Sequence, residues 1–561
     1  MTDEVRVWAP RAARVDVLVR GHRIAGERED NGWWRGPVLR PDEEYAFSLD
    51  GGPPRPDPRS RSQPQGVHGP SRWLGADALH APTPTAFHPV PLRDAVIYEL
   101  HVGTFSSEGT FASALAHLGH LARLGVTHVE ILPVAQFSGV HGWGYDGVGL
   151  FAAHEGYGGP AGLRTLIEAC HAHGLAVLID VVHNHFGPEG AYALDFAPYR
   201  TAKHRTPWGD AINLDGEGAR EVRRFLIDSA LAWLRDFGAD GLRLDALHAL
   251  RDESALHFVA ELTDAVRALG AALGRSFVLI GEYDEHDPRS VTERARGGWG
   301  LDAHWNDDFH HAIHALLTRE HHGYYIDFAP PDTLARVLQG GYALDGRHSP
   351  FRGAPHGQPF GDLPRDRLVG YIQSHDQVGN RARGERLHQL CGLERTKLAA
   401  ALLFTSPFVP MIFQGEEWAA STPFCYFAYP ESEELREAIR RGRREEHGGD
   451  DWADAPDPTD PATREASVLR WDEIARAPHA EMLAWYRALI ELRRTAPALR
   501  DPSPGATSVV ERDGVIEVRR GDHALIANLG TALASCRGDV VLATRLTEGK
   551  LAPDGCAIVR R

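Results

Sequence analysis

In the stretch GLRLDALH, residues 241–248, Arg243 and Asp245 stand two apart inside a run that otherwise reads as a buried strand. Alternate residues of a strand share a face, so both charges point the same way. Burying such a pair is costly, and chemistry is a reason to keep it. Polar residues stop other apolar runs in the same manner. Asp180, Asn184 and His185 lie in IDVVHNHF, His248 follows Asp245, Glu282 ends FVLIGEY, and His375 and Asp376 end GYIQSHDQ. A strand-end aspartate also caps a following helix; it is the convergence of the whole set that argues for a site. Four acids, an arginine and three histidines on one rim suit work on an acetal. A guanidinium beside Asp245 favours the ionised form, fit to attack carbon. The apolar lead-in to Glu282 favours the protonated form, fit to donate a proton. If the two carboxyl groups stand about 5 Å apart, they would make this a retaining glycosidase with a covalent glycosyl intermediate. Asp376 and His375 are placed to hold sugar hydroxyls, and Tyr98, Trp143, Tyr145 and Trp305 to stack on sugar faces.

Such a rim needs a scaffold that delivers many strand ends to one place. Between about 91 and 500, eight apolar runs (AVIYELHV, HVEILPV, LAVLIDVV, GLRLDAL, FVLIGEY, LDAHW, LVGYIQSH and FVPMIFQG) alternate with amphipathic segments such as AGLRTLIEACHAHG and REVRRFLIDSALAWLRDFG. This pattern predicts a parallel sheet closed as a (β/α)8 TIM barrel, whose strand carboxyl ends carry the active face. A doubly wound open sheet is the alternative; neither GxGxxG after the first strand nor a Walker loop supports it. Residues 1–90 alternate like short strands (VRVWAP, RVDVLV, YAFSL) and predict an N-terminal β-sandwich. It ends in GGPPRPDPRSRSQPQGVHGPS, a linker or an extended arm laid on the next domain. Residues 501–561 predict a small C-terminal β domain, with a hairpin turning at Asp513-Gly514 in SVVERDGVIEVRR.

The net charge of −17, with no Lys/Arg block, argues against a nucleic-acid or anionic-membrane partner. The most apolar run, AALLFTSPFVPMIF, holds two prolines and is too short to span a bilayer. The start MTDEVRVWAP lacks a signal pattern. Five scattered cysteines without a CxxC pair suggest a reduced cytoplasm. Histidines are plentiful, with His310 and His314 four apart and His183 close to His185, but no HExxH and no zinc spacing occurs. No metal and no cofactor are expected.

DVVHNH, GLRLDALH, GE and SHDQ, in this order, resemble the four signature regions of the α-amylase superfamily of glycoside hydrolases. The resemblance spans the central barrel. It implies that Asp245 is the nucleophile, Glu282 the acid/base and Asp376 a transition-state stabiliser, with Arg243, His185 and His375 on the sugar. GWGYDG is similar to the turn whose tyrosine stacks under the reacting sugar, here Tyr145 beside Asp146. VRVWAP…GWWRG resembles the immunoglobulin-like sandwich of branching and debranching enzymes. WNDDFHHAIHALLTRE and FCYFAYPESEELREAIRRGRREE resemble superfamily members that hydrolyse the α-1,4 bond next to the terminal trehalose of maltooligosyltrehalose. That resemblance implies maltooligosyltrehalose and water as partners, and functional pairing with a maltooligosyltrehalose synthase. A glycogen-branching or debranching enzyme is the alternative, and a non-catalytic sugar-binding scaffold the alternative of another class. Strand-end loops add candidate contacts: His248 after the fourth run, Asn306, Asp307, Asp308, Phe309 and His310 after the sixth, and Gln377, Asn380 and Arg381 after the seventh. Asp307 and Asp308 could accept hydrogen bonds from sugar hydroxyls on the leaving-group side, or cap a helix starting near Phe309. Gln414 departs from the pattern, where a methionine is expected.

Overall fold

The computed structural model describes residues 4–75, 87–447 and 455–561. Residues 1–3 and 76–86 of the expected N-terminal region, and 448–454 of the expected barrel region, lie outside these. The eight apolar runs form eight parallel strands: β1 (Ile97–Leu100), β2 (His128–Ile131), β3 (Ala176–Val181), β4 (Gly241–Leu244), β5 (Val278–Gly281), β6 (Ala303–Trp305), β7 (Leu368–Tyr371) and β8 (Val409–Phe413). They close in sequence order, β8 pairing with β1, so the sheet is a barrel and the open-sheet alternative falls.

Alternation along each strand sorts residues between two cores. Ile97, Leu178, Ile280, Ala303, Val369 and Met411 fill the barrel interior. Their neighbours Val177, Ile179, Leu242 and Leu279 face the surrounding helices. Two residues further along, the inward face turns polar. Asp180 lies opposite Arg243 in the β3–β4 ladder, and Glu99 opposite Glu130 in β1–β2. Thus an aliphatic layer supports a charged layer at the carboxyl end. The helix Ala219–Arg235 shows why the outer ring holds: it buries Val222, Phe225, Leu226, Ala230 and Trp233 at spacings of three and four residues. Each large apolar side chain so buried contributes about 1.5–3 kcal/mol.

Before the barrel lie two antiparallel sheets, one built on Glu4–Trp8 with Trp33–Val38 and the other on Val15–Val19 with Glu44–Leu49. The proline-rich stretch after them is an extended arm and not a free linker. Arg55 reaches Asp195 at 2.7 Å, Arg59 reaches Asp228 at 2.8 Å, and Arg61 reaches buried Asp236 at 2.7 Å. After the barrel, Thr507–Arg512 pairs with Val515–Arg520 around Asp513 (φ 54°) and Gly514 (φ 75°), the two left-handed positions of a tight hairpin.

Candidate active site

Arg243 is the centre of the charged layer. Its side chain is fully buried and its guanidinium lies 4.2 Å above the Trp305 ring. Nη1 donates to Asp180 Oδ2 at 2.7 Å and to Asp245 Oδ1 at 2.8 Å, and Nη2 donates to Glu282 Oε2 at 2.8 Å. The planar fork of arginine allows three acids to share one cation. Asp180 Oδ2 also accepts the Tyr145 hydroxyl at 2.7 Å. Asn184 Nδ2 donates to Asp245 Oδ2 at 2.7 Å, so both oxygens of Asp245 are held. After Asp245 the chain takes a left-handed turn at Ala246 (φ 40°), which directs the Ala246 N–H to Glu282 Oε2 at 2.9 Å. A non-glycine residue in this region is strained, and such strain gathers at functional sites.

These contacts correct one expectation. Glu282 does not stand in apolar surroundings, and Arg243 does not serve Asp245 alone. Arg243 pairs with Ile280 across the β4–β5 ladder, so Glu282, two residues on, shares the inward face beside the guanidinium. The cation therefore does not distinguish the two acids. The Asp245 side chain is 9 % exposed and that of Glu282 17 %.

His375 is held from below. Its Nδ1 lies 2.5 Å from Glu99 Oε1, and its backbone N–H donates to Glu99 Oε2 at 3.0 Å. Nε2 stands 3.5 Å from Asp376 Oδ1. Burial opposes a charge on the ring, but Asp376 and Glu99 outweigh it and push His375 up to about 9. The sign of the linked stability follows. The raised histidine stabilises the fold in full below 6.5, its ordinary value, and that contribution is lost as pH rises through about 9. Between those values the melting temperature of the wild type should fall relative to that of His375→Gln, which cannot titrate. Thermal unfolding of both proteins across the window checks this, and a constant difference between them counts against a charged His375.

Asp245, Glu282 and Asp376 open into one cleft of about 740 Å³, lined also by Trp143, Tyr145, Asp146, His185, His248, His375 and Asn380. Tyr145 stacks on His375 with centroids 5.0 Å apart, and Trp143 meets the same ring edge-on at 5.5 Å. Burial pushes Asp146 up to about 6. His185 bonds Asn184 through Nδ1 and faces the Tyr145 carbonyl through Nε2 at 2.9 Å. A second cleft, of about 860 Å³, adjoins at His248 and is lined by Arg251, Asp252, Glu285 and Trp299 among others.

Several nominated residues lie elsewhere. Tyr98 faces outward from β1, fully buried, with its hydroxyl on Glu417. Trp305 gives its ring face to Arg243 and not to a sugar. Asn306 donates to the Gly341 carbonyl at 3.0 Å. Phe309 packs on Phe408, and His310 bonds the Ile372 carbonyl at 2.8 Å. Gln377 is absent from the cleft lining and meets Ser374 at 3.5 Å within its own turn. Arg381 forms a two-pronged pair with Glu320, both bonds at 3.0 Å. Asp307 is likewise absent from the cleft lining, and the Tyr371 hydroxyl donates to it. Burial, and then repulsion from Glu282, Asp284 and Asp376, hold it well above the usual carboxylate range.

Asp308 fits neither earlier reading. The helix begins at Asp307, and no side chain caps it. Asp308 instead accepts the backbone N–H groups of Ala343 at 2.6 Å and Leu344 at 3.3 Å, clasping the loop after Gly341. Asp308→Ala should therefore lower stability by about 1–3 kcal/mol through the unpaired buried donors and leave substrate selectivity unchanged. Urea unfolding, alongside kcat/KM for two competing sugars, checks both halves.

Sequence reasoning missed Trp208, Tyr426, Phe427, Arg200 and Arg443, which complete the cleft wall. None of them ends an apolar run. Trp208 turns the hairpin Arg200–Thr206/Gly209–Ile212 and stacks on His185 at 4.8 Å. The aromatic density of FCYFAY was the available signal for Tyr426 and Phe427.

Among the described residues, His204, Asp215 and Glu253 bring three donor atoms together. The Lys203 ammonium already stands 2.9 Å from both acids, so the cluster has its cation. His310 and His314 turn to a carbonyl and to Glu320, and do not form a ligand pair. At the carboxyl end of β8, Gln414 bonds the His101 N–H at 3.0 Å and Thr104 Oγ1 at 2.8 Å, a cross-brace that a methionine cannot make.

Residues 71–206 match the family model of the α-amylase catalytic domain. Malto-oligosyltrehalose trehalohydrolase of Arthrobacter ramosus is 48 % identical over 92 % of this chain and 91 % of its own length. The Mycobacterium tuberculosis protein of the same name is 45 % identical over 96 % and 95 %. A crystal structure from Salmonella typhimurium, provisionally described as an α-amylase, is 36 % identical, covers 99 % of this chain and 97 % of that one, and has a TM-score of 0.91. An Anoxybacillus pullulanase, 18 % identical with a TM-score of 0.74 over 100 % of this chain and 86 % of its own, shares the fold.

Proposed function

The chain belongs to the malto-oligosyltrehalose trehalohydrolase family of α-amylase-type glycoside hydrolases, and from that premise we propose that it hydrolyses the α-1,4-glucosidic bond next to the terminal trehalose of maltooligosyltrehalose, with retention of configuration. One observation carries the mechanism: Asp245 and Glu282 bond neighbouring nitrogens of one guanidinium and face one cleft. Sharing one guanidinium keeps the two carboxyl groups near one another, which supports a covalent mechanism.

Asp245, held through both oxygens by Arg243 and Asn184, attacks the anomeric carbon. Glu282 gives its proton to the glycosidic oxygen, and trehalose leaves. Water then enters, Glu282 takes its proton, and the bond to Asp245 breaks to release the shortened maltooligosaccharide. Asp376 and the Nε2–H of His375 bind the hydroxyls of the distorting ring, where positive charge develops. The trehalose end of the substrate must come from an enzyme that rearranges the reducing end of a maltooligosaccharide, and a functional pairing with such a synthase is part of this reading. The five cysteines stand unpaired, which supports a reducing compartment. Among the described residues no helix is long and apolar enough to cross a membrane.

The test is product analysis with maltooligosyltrehalose and plain maltooligosaccharide of equal length. Trehalose and an α-configured maltooligosaccharide should appear from the first, far faster than any product from the second. A new or lost α-1,6 branch, or equal rates on both sugars, would overturn the reading.

A further inference from the structure

Asp376 stands at the start of a short helix, His375–Gly379, with its side chain 38 % exposed. His375 Nε2 lies 3.5 Å from its Oδ1, an attraction without a close hydrogen bond, so that contact alone leaves the rotamer loosely set. The same Oδ1 accepts a hydrogen bond from Asn380 Nδ2 at 3.2 Å, and Asn380 Oδ1 in turn accepts from Arg443 Nη1 at 3.0 Å and Nη2 at 2.9 Å. Arg443 lies on the helix Glu433–His447, an addition after β8 that is no part of the eightfold repeat. Its guanidinium sits 3.8 Å over the Tyr426 ring, and Tyr426 packs edge-on against Trp143 at 5.1 Å.

The chemistry of the three groups fixes a direction. An amide can present either its oxygen or its nitrogen, and the two ends have nearly the same shape. Arginine carries donors only, and an ionised carboxylate accepts only. With Arg443 on one side, Asn380 must turn its oxygen to the guanidinium and its NH2 group to Asp376. The geometry points to Arg443 as a positioning residue for Asp376, acting through Asn380: the helix outside the barrel sets the amide, and the amide holds the carboxylate that binds the reacting sugar. This rests on the proposed role of Asp376.

The experiment is a double-mutant cycle read in kcat and KM on maltooligosyltrehalose, with Arg443→Met, Asn380→Ala and the pair, and with Arg443→Met added to Asp376→Asn. Each single change should lower kcat about tenfold, the worth of one well-placed hydrogen bond, with KM within about twofold. The pair should be no slower than either alone, since a chain broken twice is broken once. Arg443→Met should add nothing to Asp376→Asn, and Arg443→Lys, which keeps a donor, should recover part of the rate. Unfolding midpoints accompany each variant, and exposed Asn380 keeps the test open if Arg443→Met fails to fold. Losses that multiply in the pair, or a rise in KM alone, mean that Arg443 acts directly on the sugar and overturn the relay. Near-normal turnover in Asp376→Asn would sink the role of Asp376 itself, a separate failure.

Discussion

Asp245→Asn lowers kcat by about 10⁴-fold or more, and Glu282→Gln by about 10²–10⁴-fold, while both proteins stay folded. The two losses should differ in kind. Glu282 is needed to protonate a poor leaving group. With an aryl maltooligoside whose phenolate leaves unaided, Glu282→Gln should regain most of the first step and accumulate glycosyl-enzyme, visible as a burst of phenolate. The subsequent step stays slow, because water then lacks its base. Asp245→Asn gains nothing from the better leaving group, since the bond to carbon cannot form. Rapid-mixing kinetics on both variants separates the roles. A burst from Asp245→Asn, or none from Glu282→Gln, reverses or removes the assignment.

Arg243→Met should be the most destabilising single change near the cleft. It leaves Asp180, Asp245 and Glu282 without their shared cation, and Asp180 is buried. Removing one partner of a buried pair costs about 3–5 kcal/mol, because a charge is left uncompensated. Arg243→Lys should rescue little. A single ammonium cannot reach three acids in the plane that the fork spans, nor lie flat on Trp305. Urea midpoints for the two variants measure this. A shift of less than about 1 kcal/mol in Arg243→Met would mean that the acids find protons or other donors, and that the arginine is retained for catalysis alone.

The barrel was legible because each strand is a short apolar run that stops at a polar residue, and the catalytic acids were legible for the same reason. What failed was facing. Tyr98 and Glu99 are neighbours, so one must point in and the other out; the tyrosine was nominated, while Glu99 is the residue that holds His375. A one-residue slip in strand phase exchanges core for site. Asn306 to His310 read as one polar patch, yet a helix spreads successive residues around its whole circumference, and Asp307 is the one that feels the charge of Glu282 and Asp376. The surroundings of Glu282 were misjudged because its decisive neighbour is 39 residues earlier, on the adjacent strand. Trp208, Tyr426 and Arg443 lie on a hairpin and a terminal addition, which no repeat predicts.

The arm across the barrel carries its own reporter. The residues that pin it, Arg59 and Arg61, are residues after which trypsin cuts, and each is followed by serine; Arg55 is followed by Pro56, which blocks the cut. While the arm lies on Asp228 and Asp236 its backbone cannot enter a protease. The partly exposed Arg59–Asp228 pair weakens as salt shortens the screening length, about 8 Å at physiological strength, whereas Arg61 on buried Asp236 and the apolar core are screened much less. Nicking after Arg59 should therefore rise with ionic strength before nicking after Arg61 and before the barrel loosens, so that a gel lane reads the release of the arm.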